Sequence, residues 1–349
     1  MLMDNNATSN SFRNPYIDIV RGIAILLVVM GHCIQFGSGT ETLESGQFFA
    51  DPIFKFIYSF HMPLFMLISG YLCWGYVSRK SHKTYFLDKV KGILIPLIAW
   101  HTLFQVVAIL SGTHISAYLF FWSYFHTLWF LRALLVCYTI ILVIHKWGKD
   151  NTLLYLFLCL LLPFISNRII PDVFAFTIPY FIMGYVYCKY KKMLPIVERL
   201  SKSLVFYICI IVMLFILLYY FEDNYYAYVT KTYLFNPDHT FLFMAFVNFY
   251  RNCTAIVGCI FTLLSINYLQ NNVLAKDNCQ TLVTLGKISL CIYIINNYLN
   301  ELLLIHLPVH NINYAYTILE TFFIVLIGYL FSNIIRQSKM LNTVFLGGR

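Results

Sequence analysis

Charge is scarce in this sequence. Asp, Glu, Lys and Arg make up 11% of its 349 residues, where a soluble domain carries about 25%. With 60% hydrophobic and 18% aromatic residues, a water-exposed globule is excluded. Acidic residues are the scarcer sign, 15 against 24 Lys and Arg. Paired cysteine motifs are absent as well. The ten cysteines are scattered, several inside apolar runs (Cys33, Cys73, Cys137, Cys291), and none has the C-x-x-C spacing of a metal or redox centre. They read as small apolar packing residues, so no metal site is expected. No basic stripe with interleaved aromatics sits on a polar module, which argues against a nucleic-acid partner. Internal repeats and low-complexity linkers are also missing, and one domain over 1–349 is expected.

Long apolar runs fill the sequence instead. Ten approach the roughly 20 residues that a helix needs to cross a bilayer. They lie near 17–37, 53–75, 91–110, 126–145, 152–166, 173–189, 203–221, 240–269, 281–304 and 314–335. The connections after the even-numbered runs hold most of the basic residues, from Arg79 and Lys80 to Lys202 and Lys276. Those after the odd-numbered runs hold only Arg168 and Lys231. By the positive-inside rule both termini face the cytoplasm. The sequence thus predicts an all-α, polytopic membrane protein with about ten transmembrane helices, a polar N-terminus over 1–15 and a short tail over 337–349. The polar start does not read as a signal peptide, because the apolar run after it is long and carries Arg21. The net charge of +9 is a topological signal and an attraction for anionic lipid or ligand phosphates at the inner face.

An ionisable group in hydrocarbon costs several kcal/mol unless it is paired or hydrated, so the few inside these runs mark the candidate site. Arg21 and His32 are eleven residues apart in the first run. That is close to three turns, so both leave one helix face, roughly 16 Å apart along the axis. Asp18 can pair with Arg21 one turn away, and Arg21 can also snorkel to the headgroups. In the returning second run, His61 falls at a depth similar to that of His32. Pro63 then removes a backbone hydrogen bond, and Ser69-Gly70 permits close helix approach. The loop from Arg79 to Lys91 is the densest cationic patch, and with Arg21 it makes an electropositive entrance for a phosphorylated ligand. In the fourth run His126 and Trp129 fall near the outer interface, while Arg132 lies deeper and calls for a cavity or a carboxylate. In the ninth, Lys287 can snorkel, and Ser289, Tyr293 and Asn296 form a polar stripe that either glues helices together or lines a cavity.

Four pieces of this sequence resemble the acyltransferase-3 family of ten-helix bacterial membrane O-acyltransferases. YIDIVRGIAILLVVMGH matches the family's arginine, ten residues, then histidine. FHMPLFMLISGYL matches its His-Met-Pro-Leu-Phe and Ser-Gly-aromatic signature. The basic loop running into LIPLIAW, and TLWFL followed later by GKISLCIYII, complete the order over residues 16 to 300. The resemblance implies transfer of an acyl group, usually acetyl, from cytosolic acyl-CoA to a sugar hydroxyl of a surface or lipid-linked polysaccharide at the bacterial inner membrane. It implies His32 as the catalytic histidine and Arg21 as a donor-side residue, with Lys89 and Lys91 holding nucleotide phosphates. The family often has arginines in that loop where this chain has mostly lysines, and a histidine where this chain has Asn296.

The expected chemistry uses His32 as general base for the hydroxyl, with His61 orienting it, binding the acceptor or stabilising the oxyanion. Ser69 joins the acyl-CoA contacts. Asp18, His126, Trp129, Arg132, Ser289, Tyr293 and Asn296 are expected on the acceptor side or along the cavity. Acetyl-CoA is a donor substrate rather than a resident cofactor, and self-association is compatible with the sequence. The rival reading is a polysaccharide or lipid-linked-sugar transporter, against which the two halves show no matching broken helices.

Overall fold

A computed structural model of the chain describes residues 14–37, 47–112, 116, 118, 120, 123–124, 128–272, 279–302 and 313–348. All regular structure among them is helical. α1 (Pro15–Gly37) is followed by α2 (Pro52–Val77), then by α3 (His82–Lys89), which runs through a π turn (Val90–Leu94) into α4 (Ile95–Leu110). Next come α5 (Trp129–Trp147), α6 (Thr152–Leu161), α7 (Asp172–Tyr190), α8 (Pro195–Ser201) and α9 (Leu204–Tyr219). α10 (Phe241–Asn272), α11 (Gln280–Lys287), α12 (Ser289–Leu302), α13 (Tyr314–Gln337) and α14 (Lys339–Leu346) complete the chain.

The sequence pattern accounts for the central pair. Asp51 caps α2 by accepting from Phe54 N at 2.7 Å, with Pro52 at the first helical position. Of the most apolar stretch, 61% is buried in both α1 and α2 against 22% in α13, so α1 and α2 form the centre and α13 the rim. Small residues set their spacing. A Cβ on Gly70 of α2 would fall 1.8 Å from Phe181 O of α7, and one on Gly184 of α7 would fall 1.9 Å from Leu67 O of α2. α1 and α11 repeat the device, with Gly22 against Leu282 O and Gly286 against Asp18 O.

The ten apolar runs all contain helix, yet they do not make ten uniform rods. Among the described residues, six helices are long and apolar enough to cross a membrane, and the count is up to eight if each of two bent pairs is one span. α8 and α9 meet at 79°, and α11 and α12 at 69°. The runs at 152–166 and 173–189 stay outside that count. α6 is short, and α7 trades apolar residues for tyrosines (Tyr180, Tyr185, Tyr187, Tyr190) and carries Asp172 and Lys189. α7 nevertheless packs along α2 through the glycine crossing.

Candidate active site

Two cavities lie end to end along α1, α2 and α12. The first, of about 310 Å³, is lined by His32 and Gln35 of α1, Tyr58 and His61 of α2, Trp129 of α5 and Asn297 of α12. Its roof is the connection between α9 and α10, with Phe221 and Tyr225 to Tyr228. The second, of about 380 Å³, is lined by Arg21, Ser69, Lys89, Lys287, Ser289 and Arg336 among others. Val28, Met62 and Tyr293 line both and form the waist between them. Helical rise explains the division: α1 passes from Arg21 through Val28 to His32, and α2 passes the other way from His61 through Met62 to Ser69.

In the histidine cavity, Asn296 Nδ2 lies 2.6 Å from His32 Nδ1, and Asn300 Nδ2 donates to Asn296 Oδ1 at 3.2 Å. Asn296 is fully buried behind the cavity wall. His61 Nδ1 is 2.8 Å from Ile57 O. A carbonyl only accepts, so the His61 proton sits on Nδ1 and a neutral ring keeps its lone pair on Nε2. Tyr58 stands between the imidazoles, its ring centroid 4.8 Å from that of His61 and 6.3 Å from that of His32, and its hydroxyl donates to Gln35 Oε1 at 2.8 Å. Leu128, at φ 48°, is a non-glycine residue in the left-handed region immediately before Trp129. Such strain costs on the order of 1 kcal/mol and clusters at functional sites.

In the cationic cavity, Arg21 Nη2 donates to Ser289 Oγ at 3.0 Å. Ser289 is the first residue of α12, so the bend after Lys287 brings a helix N-terminus and its partial positive charge to the cavity wall. Lys89 Nζ lies 3.9 Å from the Tyr138 ring centroid and 4.7 Å from that of Tyr76, a cation–π seat that fixes its position. Arg336 arrives from α13 at the far end of the sequence.

The structure therefore brings together Arg21, Ser69, Lys89, Ser289 and Tyr293 in one cavity and His32, His61, Trp129 and Tyr293 in the other. Asn296 reaches His32 from behind the wall. Lys91 is exposed and lines neither cavity, and Asp18 is buried at the Gly286 crossing. Arg132 lies with its guanidinium carbon 5.7 Å from the Phe174 ring centroid, outside both linings. His126 falls outside the described residues. Sequence reasoning passed over Arg336 and the roof, and it passed over Arg251, a buried arginine inside the apolar run at 240–269 that was itself a signal.

Comparison with known proteins adds the family. The sequence profile of the acyltransferase-3 family, described as an acyltransferase domain, matches residues 14–341. The chain is similar to the nodulation protein NolL of Sinorhizobium fredii (strain NBRC 101917 / NGR234), 34% identical over 188 residues that cover 51% of this chain and 49% of that protein. It is also similar to NolL of Mesorhizobium japonicum (strain LMG 29417 / CECT 9101 / MAFF 303099), 34% identical over 139 residues, 35% of this chain and 36% of that one. The chain thus matches about half the length of the first relative and about a third of the second. No solved structure matches it. The profile runs from the start of α1 into α14 and takes in both cavities, and on that match the chain belongs to the acyltransferase-3 family.

Proposed function

We propose that this protein transfers an acetyl group from cytosolic acetyl-CoA to a sugar hydroxyl of a cell-surface or lipid-linked polysaccharide, across the bacterial inner membrane. The observation that carries this reading is the pair of stacked cavities, one cationic and one holding two imidazoles, separated by a waist of Val28, Met62 and Tyr293. CoA is a phosphate-bearing head joined to its thioester by a long thin arm. Arg21, Lys89, Lys287 and Arg336 suit the head, and the waist suits the arm. Ser69 lies along its course. The aromatic roof of the histidine cavity suits the faces of a sugar ring.

The chemistry assigns His32 as general base. Its Nε2 accepts the hydroxyl proton as the sugar oxygen attacks the thioester carbon. The carbon–sulfur bond of the tetrahedral intermediate then breaks, and the imidazolium returns its proton to the leaving CoA sulfur. The sugar leaves as an ester and CoA as a thiol, with the base restored. With Asn296 Nδ2 facing His32 Nδ1, the imidazole proton sits on Nε2. This role therefore requires the Asn296 and Asn300 amides turned over, with Asn296 Oδ1 accepting from His32 Nδ1–H. Asn296 Nδ2 then donates to Asn300 Oδ1, which otherwise has no partner among the described residues. His61 keeps an Nε2 lone pair facing the cavity and orients the acceptor by accepting from a second sugar hydroxyl.

The test is release of CoA thiol by purified protein given acetyl-CoA and acceptor. His32→Ala is expected to lower kcat by at least about 100-fold, the lower range for removal of a general base. Transfer at a near wild-type rate would remove His32 from that role. Acceptor movement across vesicles without thiol release would favour the transporter reading.

A further inference from the structure

Arg251 is the least explained group in the molecule. It sits in α10, inside an apolar run, and is 2% exposed. Its Nη2 donates to Thr230 O at 2.8 Å and Asn224 O at 3.4 Å, both in the roof of the histidine cavity. Its Nε and Nη1, which carry three N–H donors between them, have no hydrogen-bond partner among the described residues. Asp172 is the carboxylate whose field reaches it, but that side chain accepts from Thr232 N at 2.7 Å and Thr232 Oγ1 at 3.0 Å. An arginine in such a place is normally paired, because a buried guanidinium with unused donors is costly.

Arg251 also lines the histidine cavity, and among the described residues none that lines it is acidic. Two roof hydroxyls on the same wall, Tyr226 and Tyr228, are likewise buried without hydrogen-bond partners. A permanent positive charge and two phenols thus line one cavity, and their buried polar atoms find no partner among the described residues. A neutral sugar would fill the hydroxyl positions and leave the charge unbalanced. An oxyanion would answer all three.

We infer that the histidine cavity holds an anionic acceptor, whose carboxylate or phosphate oxygens pair with Arg251 Nε and Nη1 while its reacting hydroxyl lies at His32. This rests on the transfer reading above and narrows it from sugars in general to acidic or phosphorylated ones. The guanidinium fork takes carboxylate and phosphate alike, so the shared chemistry is the oxyanion, and its source is an experimental arm.

The test uses the full chain in detergent with CoA held at saturation, so that the cations of the other cavity are occupied. Binding of methyl β-D-glucuronide, α-D-glucose 1-phosphate and methyl β-D-glucoside is compared by thermal shift and by titration. One of the two anions is expected to bind at least about tenfold tighter than the neutral glucoside. A glucuronide preference identifies a uronic acid unit, and a sugar phosphate preference identifies a phosphate-linked one. Arg251→Gln is expected to erase the preference, and Arg251→Lys to keep part of it. Equal binding of all three probes by the wild type overturns the inference, as does a preference that survives Arg251→Gln. Where Arg251→Gln fails to fold through loss of its roof contacts, the wild-type comparison and Arg251→Lys still decide. CoA release with a neutral acceptor and no anion preference overturns this inference alone, whereas no CoA release with any acceptor overturns the transfer reading.

Discussion

Asn296 stands where the resemblance to the family leads one to expect a histidine, and it touches the imidazole proposed as the general base. A side-chain amide can hold His32 in one tautomer but cannot take up a proton. The role proposed for it is therefore positioning. Asn296→Leu is expected to lower kcat by about 100-fold while leaving the KM for acetyl-CoA unchanged, because the cavity proposed for the donor head lies beyond the waist. Asn296→Asp keeps an acceptor on Nδ1–H and is expected to retain far more of the rate than the leucine variant. A merely packing role predicts the reverse order, since leucine fills the space without a charge. Steady-state kinetics on the two variants separates these cases. At this scale the sequence was partly legible. Helical periodicity placed Arg21 and His32 on one face, and it placed Ser289, Tyr293 and Asn296 on one stripe. That the stripe meets His32 and Arg21 at two different heights is a fact of helix packing, which no spacing within one segment encodes.

At the scale of elements, the site depends on two close helix crossings and one break. The α2–α7 crossing leaves no room for a Cβ at Gly184. Gly184→Ala is expected to cost about 1–3 kcal/mol, the range for overpacking, read as a lowered melting temperature in detergent. Gly37→Ala is the control, since its Cβ would meet nothing closer than 3.5 Å. The expectation of close packing at Ser69-Gly70 was readable from two small residues in an apolar run, and the structure divides them: Gly70 makes the crossing while Ser69 lines the cationic cavity. The break after Lys287 was not readable. GKIS has no proline, and the bend arises where α11 lies against α1 while α12 turns to pack on α13. That bend brings Ser289 to Arg21.

Across the whole molecule, basic residues from four distant parts of the chain converge on one cavity. Arg21, Lys89, Lys287 and Arg336 lie in α1, α3, α11 and α13. Arg336→Gln is expected to raise the KM for acetyl-CoA about tenfold with little change in kcat, and the effect should shrink as salt rises. Topology is tested separately, by cysteines introduced at Lys80 and Lys231. An impermeant maleimide is expected to label the first only from the cytoplasmic side and the second only from the opposite side. Alternation of Lys and Arg is what carries the expected orientation, because it is a property of connections rather than of tertiary contacts. Convergence of the four cations was not readable, for the opposite reason. The waist of Val28, Met62 and Tyr293 has a further consequence. If the two cavities open toward opposite faces of an energised membrane, as the proposed function requires, the voltage falls across what separates them, and each elementary charge that crosses dissipates about 2.3 kcal/mol per 100 mV. Three largely apolar side chains shared by both linings would then act as an electrical seal. On the proposed reading, the residues that let the arm of the donor pass would also hold back protons and salt.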